Sequence, residues 1–173
     1  MARFSDPERL SAEHALSGFE CGNGSLNIWL QRHARTASAG GSAQTFVVTD
    51  EEQGGRVVGY YALAVASITH AEATERAAKG MPRHEIPALL LARLAVDQSV
   101  QGRGLGAFLL RDAMKRAIAV SEEAGVRLIL VHAVEEGARA FYERFGFEAS
   151  PTDEMNLQMI IKDVRASLDV AAR

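Results

Sequence analysis

Residues 89–116 place an apolar strand, a glycine-rich loop and an amphipathic helix in direct succession. The strand ends at Val96, the loop is Gln101-Gly102-Arg103-Gly104-Leu105-Gly106, and the helix is predicted to run from about residue 104 to residue 124. Glycine lets a backbone approach a bound anion closely, and the first turn of a helix carries N–H groups without partners in the helix. The succession of strand, glycine-rich loop and helix therefore predicts a pyrophosphate-binding loop.

Two common phosphate-binding patterns are excluded by spacing. The loop is not Gly-x-x-x-x-Gly-Lys-Ser/Thr, and it lacks the third glycine of Gly-x-Gly-x-x-Gly because position 107 is alanine. Arg-Leu-Ala-Val-Asp followed by Gln-x-x-Gly-x-Gly instead resembles motif A of the GCN5-related N-acetyltransferase (GNAT) family. Residues 126–147, a strand and a helix with Ala-x-x-Phe-Tyr-x-x-x-Gly-Phe, resemble motif B of that family.

The resemblance implies acetyl-CoA as cosubstrate. No metal is expected, because one cysteine and five scattered histidines offer no metal-ligand spacing. Tyr142 in motif B is then expected beside the thioester sulfur, as the acid that protonates the departing thiolate; the alternative is a core tyrosine with its hydroxyl at the surface. Arg103 is either a phosphate contact or a solvent-facing charge. The cofactor-binding residues implied by the resemblance are Leu94, Ala95, Val96, Gln101, Gly102, Arg103, Gly104, Leu105, Gly106 and Ala107.

The N-terminal segments narrow the resemblance. Phe19-Glu-Cys-Gly22, Leu26-Asn-Ile-Trp-Leu30 and Ala43-Gln-Thr-Phe-Val-Val48 resemble the acetyltransferase toxins of bacterial toxin–antitoxin pairs, and the similarity runs from about residue 4 to about residue 160. Those toxins acetylate the α-amino group of aminoacyl-tRNA, block translation and are neutralised by a ribbon-helix-helix antitoxin. The resemblance implies the same substrate and partner here, and a homodimer. Two alternatives stay open: an acetyltransferase of a small amine, antibiotic or protein N-terminus, and an acetyl-CoA-binding module without catalysis.

Charge and composition agree with this interpretation. The net charge of −3 alone argues against nucleic-acid binding, but the cationic residues are clustered, which predicts a basic face; the alternative is an ordinary solvated surface. A single cysteine, Cys21, and the absence of an apolar membrane-length run or a secretory signal favour a cytoplasmic protein. The residues expected to contact tRNA phosphates are Arg32, Arg35, Arg76, Lys79, Arg83 and Arg93.

No glutamate or histidine is clearly placed as a general base. An α-amine, with a pKa of about 8, is substantially unprotonated near neutral pH, whereas a lysine amine near 10.4 is not. The missing base therefore favours an α-amine acceptor. His132, at the end of the second core strand, is a candidate base or equally a structural core histidine.

The chain is expected to be a single α+β domain over residues 1–173, with a core at about 4–161. The resemblance implies a GNAT fold, with a mixed, mostly antiparallel central sheet that is flanked by helices and splayed at the acetyl-CoA site. The continuously apolar strand at 88–96 is predicted to be buried on both faces. Further elements are a helical turn at 11–17, helices at 25–37, 72–79 and 135–145, strands at 43–50, 56–68, 126–133 and 155–161, and a helix or frayed tail at 162–173.

Overall fold

The computed structural model describes residues 3–171. Seven strands form one sheet, and they are β1 (Glu8–Arg9), β2 (Gln44–Asp50), β3 (Arg56–Ile68), β4 (Ile86–Val96), β5 (Leu128–His132), β6 (Glu148–Ala149) and β7 (Asn156–Ile160). Their order in the sheet is β1-β2-β3-β4-β5-β7-β6. The β4–β5 pair is parallel, and the β1–β2, β2–β3, β5–β7 and β6–β7 pairs are antiparallel. The predicted α+β class and mostly antiparallel sheet are confirmed.

The helices lie mostly where the apolar periodicity predicts them. Asn23 caps the first helix, because its side chain accepts a hydrogen bond from the Leu26 N–H. A π-helical turn, Trp29–His33, continues this helix into the next. The helices are α1 (Gly24–Ile28), α2 (Ala34–Gly40), α3 (Glu75–Ala78), α4 (Leu105–Glu123), α5 (Glu136–Arg144) and α6 (Ile161–Ala171). None of the helices within residues 3–171 is both long and apolar enough to span a bilayer.

The chain folds into two compact units, each built from two stretches. The first, called the N-terminal unit, contains residues up to 64 and residues 92–113; the second, called the C-terminal unit, contains residues 65–91 and those from 114 onward. Strands β3 and β4 and helix α4 contribute residues to both units. Residues 1, 2, 172 and 173, the ends of the predicted domain, lie outside the described residues.

The N-terminal unit buries an apolar cluster beneath the β2–β3 hairpin. Elsewhere in this unit, Gly59 in β3 allows a close approach of α4, since a Cβ at this position would lie 3.1 Å from Leu109 Cδ1 and 3.3 Å from Leu105 Cδ2. Glycine at position 59 therefore lets the first turns of α4 pack directly on β3. The cluster consists of Leu16, Phe19, Leu30, Ala34, Val47, Val57, Tyr60 and Ala95.

The C-terminal unit is built on the parallel pairing of β4 with β5. Ala88–Leu91 pair with Leu128–Val131, and β5 pairs along its whole length with β7. Helix α5 is followed by Gly146, whose φ of 98° is the left-handed conformation expected after a helix end. The apolar cluster of this unit consists of Ile68, Ala73, Ala77, Ile86, Ala88, Leu128, Leu130 and Ile160.

Two local predictions needed correction. Residues 11–17 form turns and a bridge rather than the expected helical turn, because the Ser11 N–H donates to the His14 ring and Ala15 bridges to Arg56 of β3. The helix expected at 72–79 is shorter, four residues of α3. Of the two forms expected for residues 162–173, a helix or a frayed tail, the structure shows the helix, which is α6 and extends to Ala171.

Candidate functional site

The loop before α4 has the backbone geometry that an anion-binding site requires. Gly102 and Gly104 have φ values of 78° and 81°, in the left-handed region that favours glycine. A Cβ added to either would meet nothing within 4 Å, so the space beside both is open. Among residues 3–171, no acceptor binds the backbone N–H groups from Gly102 to Ala107. These groups and the positive end of the helix dipole suit a pyrophosphate.

The Gln101 side chain holds the start of this loop. Its Nε2 donates to the carbonyl of Val96 at 2.9 Å and to the carbonyl of Cys21 at 3.0 Å. The loop is thereby joined both to the end of β4 and to the segment before α1. Burial raises the pKa of the Cys21 thiol, which agrees with a structural rather than a nucleophilic cysteine.

Asp97 links β4 to the loop through a buried carboxylate that is 3% exposed. It accepts hydrogen bonds from Arg56 at 3.0 and 3.2 Å, from the Glu20 N–H at 2.9 Å and from the Ser99 N–H at 3.0 Å. Burial alone would raise the pKa of Asp97, but these bonds outweigh burial and hold the pKa well below its ordinary value. The carboxylate is therefore a fixed charge beneath the loop.

The end of β4 leaves its pairing with β5 before it reaches the loop. The last pair is Leu91 with Val131, and β4 continues for five more residues. Ala95 is buried, whereas Leu94 and Val96 are half-buried. The prediction that β4 is buried on both faces is therefore wrong for this end, where β5 offers no paired neighbour.

Arg103 lies at the tip of the loop. It is exposed and has no ion-pair partner in the described part of the chain. A cavity of about 310 Å³ lies against the loop in the same unit. Its lining combines two aromatic rings, the loop backbone and two opposite charges: Phe4, Asp6, Arg103, Gly104, Leu105 and Phe108.

Tyr142, on α5, has a buried ring and a hydroxyl that no protein atom uses. The residue is 8% exposed, and its ring packs at 5.1 Å from that of Phe141 and 5.6 Å from that of Phe147. Its Oη has no hydrogen-bond partner among residues 3–171, where only Thr45 has a fully enclosed unpaired side-chain oxygen. The Tyr142 hydroxyl therefore keeps some contact with solvent. Burial raises its pKa, so the proton stays on the oxygen at neutral pH.

His132 ends β5 immediately after the last residue paired with β4. Its Nδ1 lies 2.5 Å from Asn156 Oδ1 on β7. Both residues line a cavity of about 240 Å³, together with Ala66, Ser67, Ile68, Glu72, Leu130, Ser150 and Gln158. Sequence reasoning selected His132 alone, because Asn156 and Glu72 are distant along the chain and no motif marks them.

The cationic residues differ in how much of their charge the protein already uses. Arg76 pairs with Asp163 at 2.6 Å, and Arg35 donates to the carbonyls of Ser11 and His14 at 3.2 and 2.7 Å. Arg93 is half-buried, and its guanidinium lies 4.2 Å from the centre of the Trp29 ring. The three others, exposed and without an ion pair within residues 3–171, are Arg32, Lys79 and Arg83.

Comparison with known proteins places this geometry in a family. The family model described as an acetyltransferase (GNAT) domain matches residues 41–149, which is more than half of the chain. The chain belongs to the GNAT family. This GNAT protein is 45% identical over 166 residues to a tRNA-acetylating toxin of Mycobacterium tuberculosis, covering 96% of this chain and 98% of that one.

Solved structures agree with the family over nearly the whole length. AtaT complexed with acetyl-methionyl-tRNAfMet matches the GNAT chain with a TM-score of 0.86 and 28% identity, covering 94% of this chain and 98% of AtaT. A tyrosine-to-phenylalanine mutant of AtaT, bound to the C-terminus of the antitoxin AtaR and to acetyl-CoA, matches with a TM-score of 0.81 and 27% identity, covering 95% and 97%. The chain is an N-acetyltransferase with the fold of these toxins.

Proposed function

We propose that this GNAT protein is an acetyl-CoA-dependent toxin that acetylates the α-amino group of aminoacyl-tRNA and thereby blocks translation. The observation that carries the proposal is the 45% identity, over nearly all of both chains, to a tRNA-acetylating toxin. The similarity includes the N-terminal residues that precede the 41–149 family match, where toxin-like features of the sequence lie.

Acetyl-CoA fits the residues present. The open space beside Gly102 and Gly104 and the unpaired N–H groups of the loop suit its pyrophosphate. Arg103, exposed and without an ion pair in the described chain, supplies a further phosphate contact. Backbone groups at the end of β4, from Leu94 through Ala95 to Val96, pair with the extended pantetheine arm as an added strand would.

Tyr142 is the proposed acid. Its proton is retained at neutral pH, and its hydroxyl has no protein partner that would compete for it. In transfer, the amine nitrogen bonds to the acetyl carbon, the carbon–sulfur bond breaks, and Tyr142 donates its proton to the leaving sulfur. A backbone N–H near Val96 stabilises the negative charge on the carbonyl oxygen.

The proposed tRNA substrate gives the exposed cationic residues a role in binding phosphate groups. Arg32, Lys79 and Arg83 carry uncompensated charge for phosphate contacts, and Arg93 adds a charge held against Trp29. Such contacts confer affinity and salt dependence without reading sequence. Arg35 and Arg76 contribute less, because the protein already uses their donors.

The proposed partners follow from the same similarity. AtaT was solved with its antitoxin AtaR, and we propose an antitoxin of the ribbon-helix-helix class for this chain, with a homodimer as the active form. A tRNA substrate implies action in the cytoplasm. A small DNA-binding reading frame directly upstream of the gene is the expected genetic sign of the antitoxin.

The test is transfer of labelled acetyl from acetyl-CoA to a pool of charged tRNA. Deacylated tRNA and a lysine-rich protein serve as parallel acceptors, and acetyl-CoA binding is measured alongside by calorimetry. Label on charged tRNA alone is expected, and sequencing the labelled pool names the isoacceptors. Intact acetyl-CoA binding without label on tRNA would refute the toxin proposal in favour of a small amine or protein acceptor, and binding without transfer to any acceptor would favour a non-catalytic module.

A further inference from the structure

We infer that His132 is the proton acceptor for the attacking amine, and that Asn156 is a positioning residue that fixes the histidine tautomer in which Nε2 is free to accept. This inference rests on the proposed function, because it assigns the cavity at the end of β5 to the acceptor amine. It selects between the two roles that the sequence leaves open for His132, a base or a structural histidine, and adds Asn156, which no motif marks.

The contact between the two residues determines the tautomer. Asn156 Oδ1 is a carbonyl oxygen without a proton, so His132 Nδ1, 2.5 Å away, must be the donor. A neutral imidazole carries one proton, which leaves a lone pair on Nε2. Nε2 has no partner among residues 3–171.

The surroundings leave few competing acceptors in this cavity. Gln158, 2% exposed, donates through Nε2 to the Glu72 carbonyl and accepts the Thr74 N–H through Oε1. Ser150 Oγ donates to the same Glu72 carbonyl at 2.7 Å. Gln158 and Ser150 therefore already have hydrogen-bond partners within the protein. The cavity lining contains two titratable side chains, His132 and Glu72.

The position suits the chemistry. His132 directly follows Val131, which pairs with Leu91, the last β4 residue joined to β5. Attack by the neutral amine leaves an extra proton on its nitrogen. His132 Nε2 takes that proton as the carbon–nitrogen bond forms, the carbon–sulfur bond breaks, and Tyr142 protonates the sulfur. The proton held by His132 is then released to solvent, and the Tyr142 oxygen takes one back from solvent. In total, one proton leaves the amine and one reaches the thiol.

The first test needs no activity. Long-range ¹H–¹⁵N spectra of the histidine-labelled parent protein report which ring nitrogen carries the proton, and His132→Gln assigns the signal by removing it. A neutral ring protonated at Nδ1 is expected in the parent, with a mixture of tautomers in Asn156→Leu. A parent ring protonated at Nε2 would overturn the inference.

The second test is acetyl transfer to charged tRNA by folded variants. His132→Gln is expected to lower kcat on the order of 10²-fold with an unchanged KM for acetyl-CoA. Asn156→Leu should lower it about tenfold or more, whereas Asn156→Asp, which keeps an oxygen acceptor, should restore most of the rate. Thermal unfolding is compared across the set to separate folding from chemistry.

The outcomes separate this inference from the proposed function. A parent protein that does not acetylate charged tRNA refutes the proposed function, and the acceptor role of His132 with it. A parent that acetylates charged tRNA while His132→Gln is equally fast overturns only the inference. A larger loss in Glu72→Gln than in His132→Gln would assign the base to the carboxylate and overturn it as well.

Discussion

Asp97→Asn is expected to destabilise the protein strongly, although it changes a single atom type. The substitution leaves Arg56 opposite a neutral amide in a buried position, and removing one partner of a buried ion pair typically costs about 3–5 kcal/mol. Because the Arg56 side chain is 23% exposed, water recovers part of the interaction. We therefore expect a loss of about 3 kcal/mol in the free energy of unfolding, at the lower end of that range.

For a chain of 173 residues, that loss corresponds to a fall in Tm of roughly 6–12 °C. Asp163→Asn is the matched control, because Asp163 also makes a two-bond contact with an arginine, Arg76, but on the exposed surface. Asp163→Asn should lower the free energy of unfolding and the Tm much less than Asp97→Asn. Thermal and urea unfolding followed by circular dichroism measure both, and equal losses would refute the argument from burial.

The pH dependence of the same pair has a definite sign. The pKa of Asp97 is lowered in the folded state, so its stabilising contribution is present above the unfolded value, near 4, and is lost as the pH falls through the lower folded pKa. The difference in stability between parent and Asp97→Asn should therefore shrink in strong acid. A difference that is constant from pH 7 into that range would contradict the role of the charge.

The remaining predictions concern the site. Tyr142→Phe should lower turnover on the order of 10²-fold while acetyl-CoA affinity and Tm stay near the parent values, because its hydroxyl has no protein hydrogen bond; equal turnover would remove the acid role. Gln101→Leu should weaken acetyl-CoA binding by up to about thirtyfold in calorimetry, since two hydrogen bonds of about 1 kcal/mol each hold the loop; unchanged affinity would show that the loop is held by other contacts. Arg83→Gln should lower the salt dependence of tRNA binding by about one phosphate contact, and Arg76→Gln by less, because Arg76 is already paired with Asp163; the reverse order would refute this ranking.

Elements with a strong local pattern were predicted well from the sequence. The glycine-rich loop and α4 carry both a helical period and a chemical reason for their glycines, and α5 ends near the glycine that marks its end. The two-residue strands β1 and β6 were missed because two residues have no period. Residues 11–17 were predicted as a helical turn because the sequence does not show the bridge of Ala15 to Arg56, about forty residues later, that sets their form.

The residues of the candidate site also differ in whether a local sequence pattern marks them. Tyr142 and the loop could be selected because each stands in a recognisable motif. Asn156 could not, because its contact with His132 is made only when β7 pairs with β5, and an asparagine has no distinctive surroundings in sequence. Arg35 and Arg76 were selected along with the unpaired cations for a related reason: the sequence does not show that the fold already gives their side chains partners within the protein.

Gly102 and Gly104 offer a route by which this acetyltransferase can be silenced without being unfolded. A Cβ at either position would have no protein atom within 4 Å, so the expected structural penalty for alanine is that of the left-handed backbone, about 1–2 kcal/mol for a non-glycine residue. The same side chain would occupy the space proposed for the pyrophosphate. Point mutations at these two codons should therefore recur among inactive alleles whose product still accumulates as folded protein, and they would provide a stable, inert form for purification and for binding studies with an antitoxin.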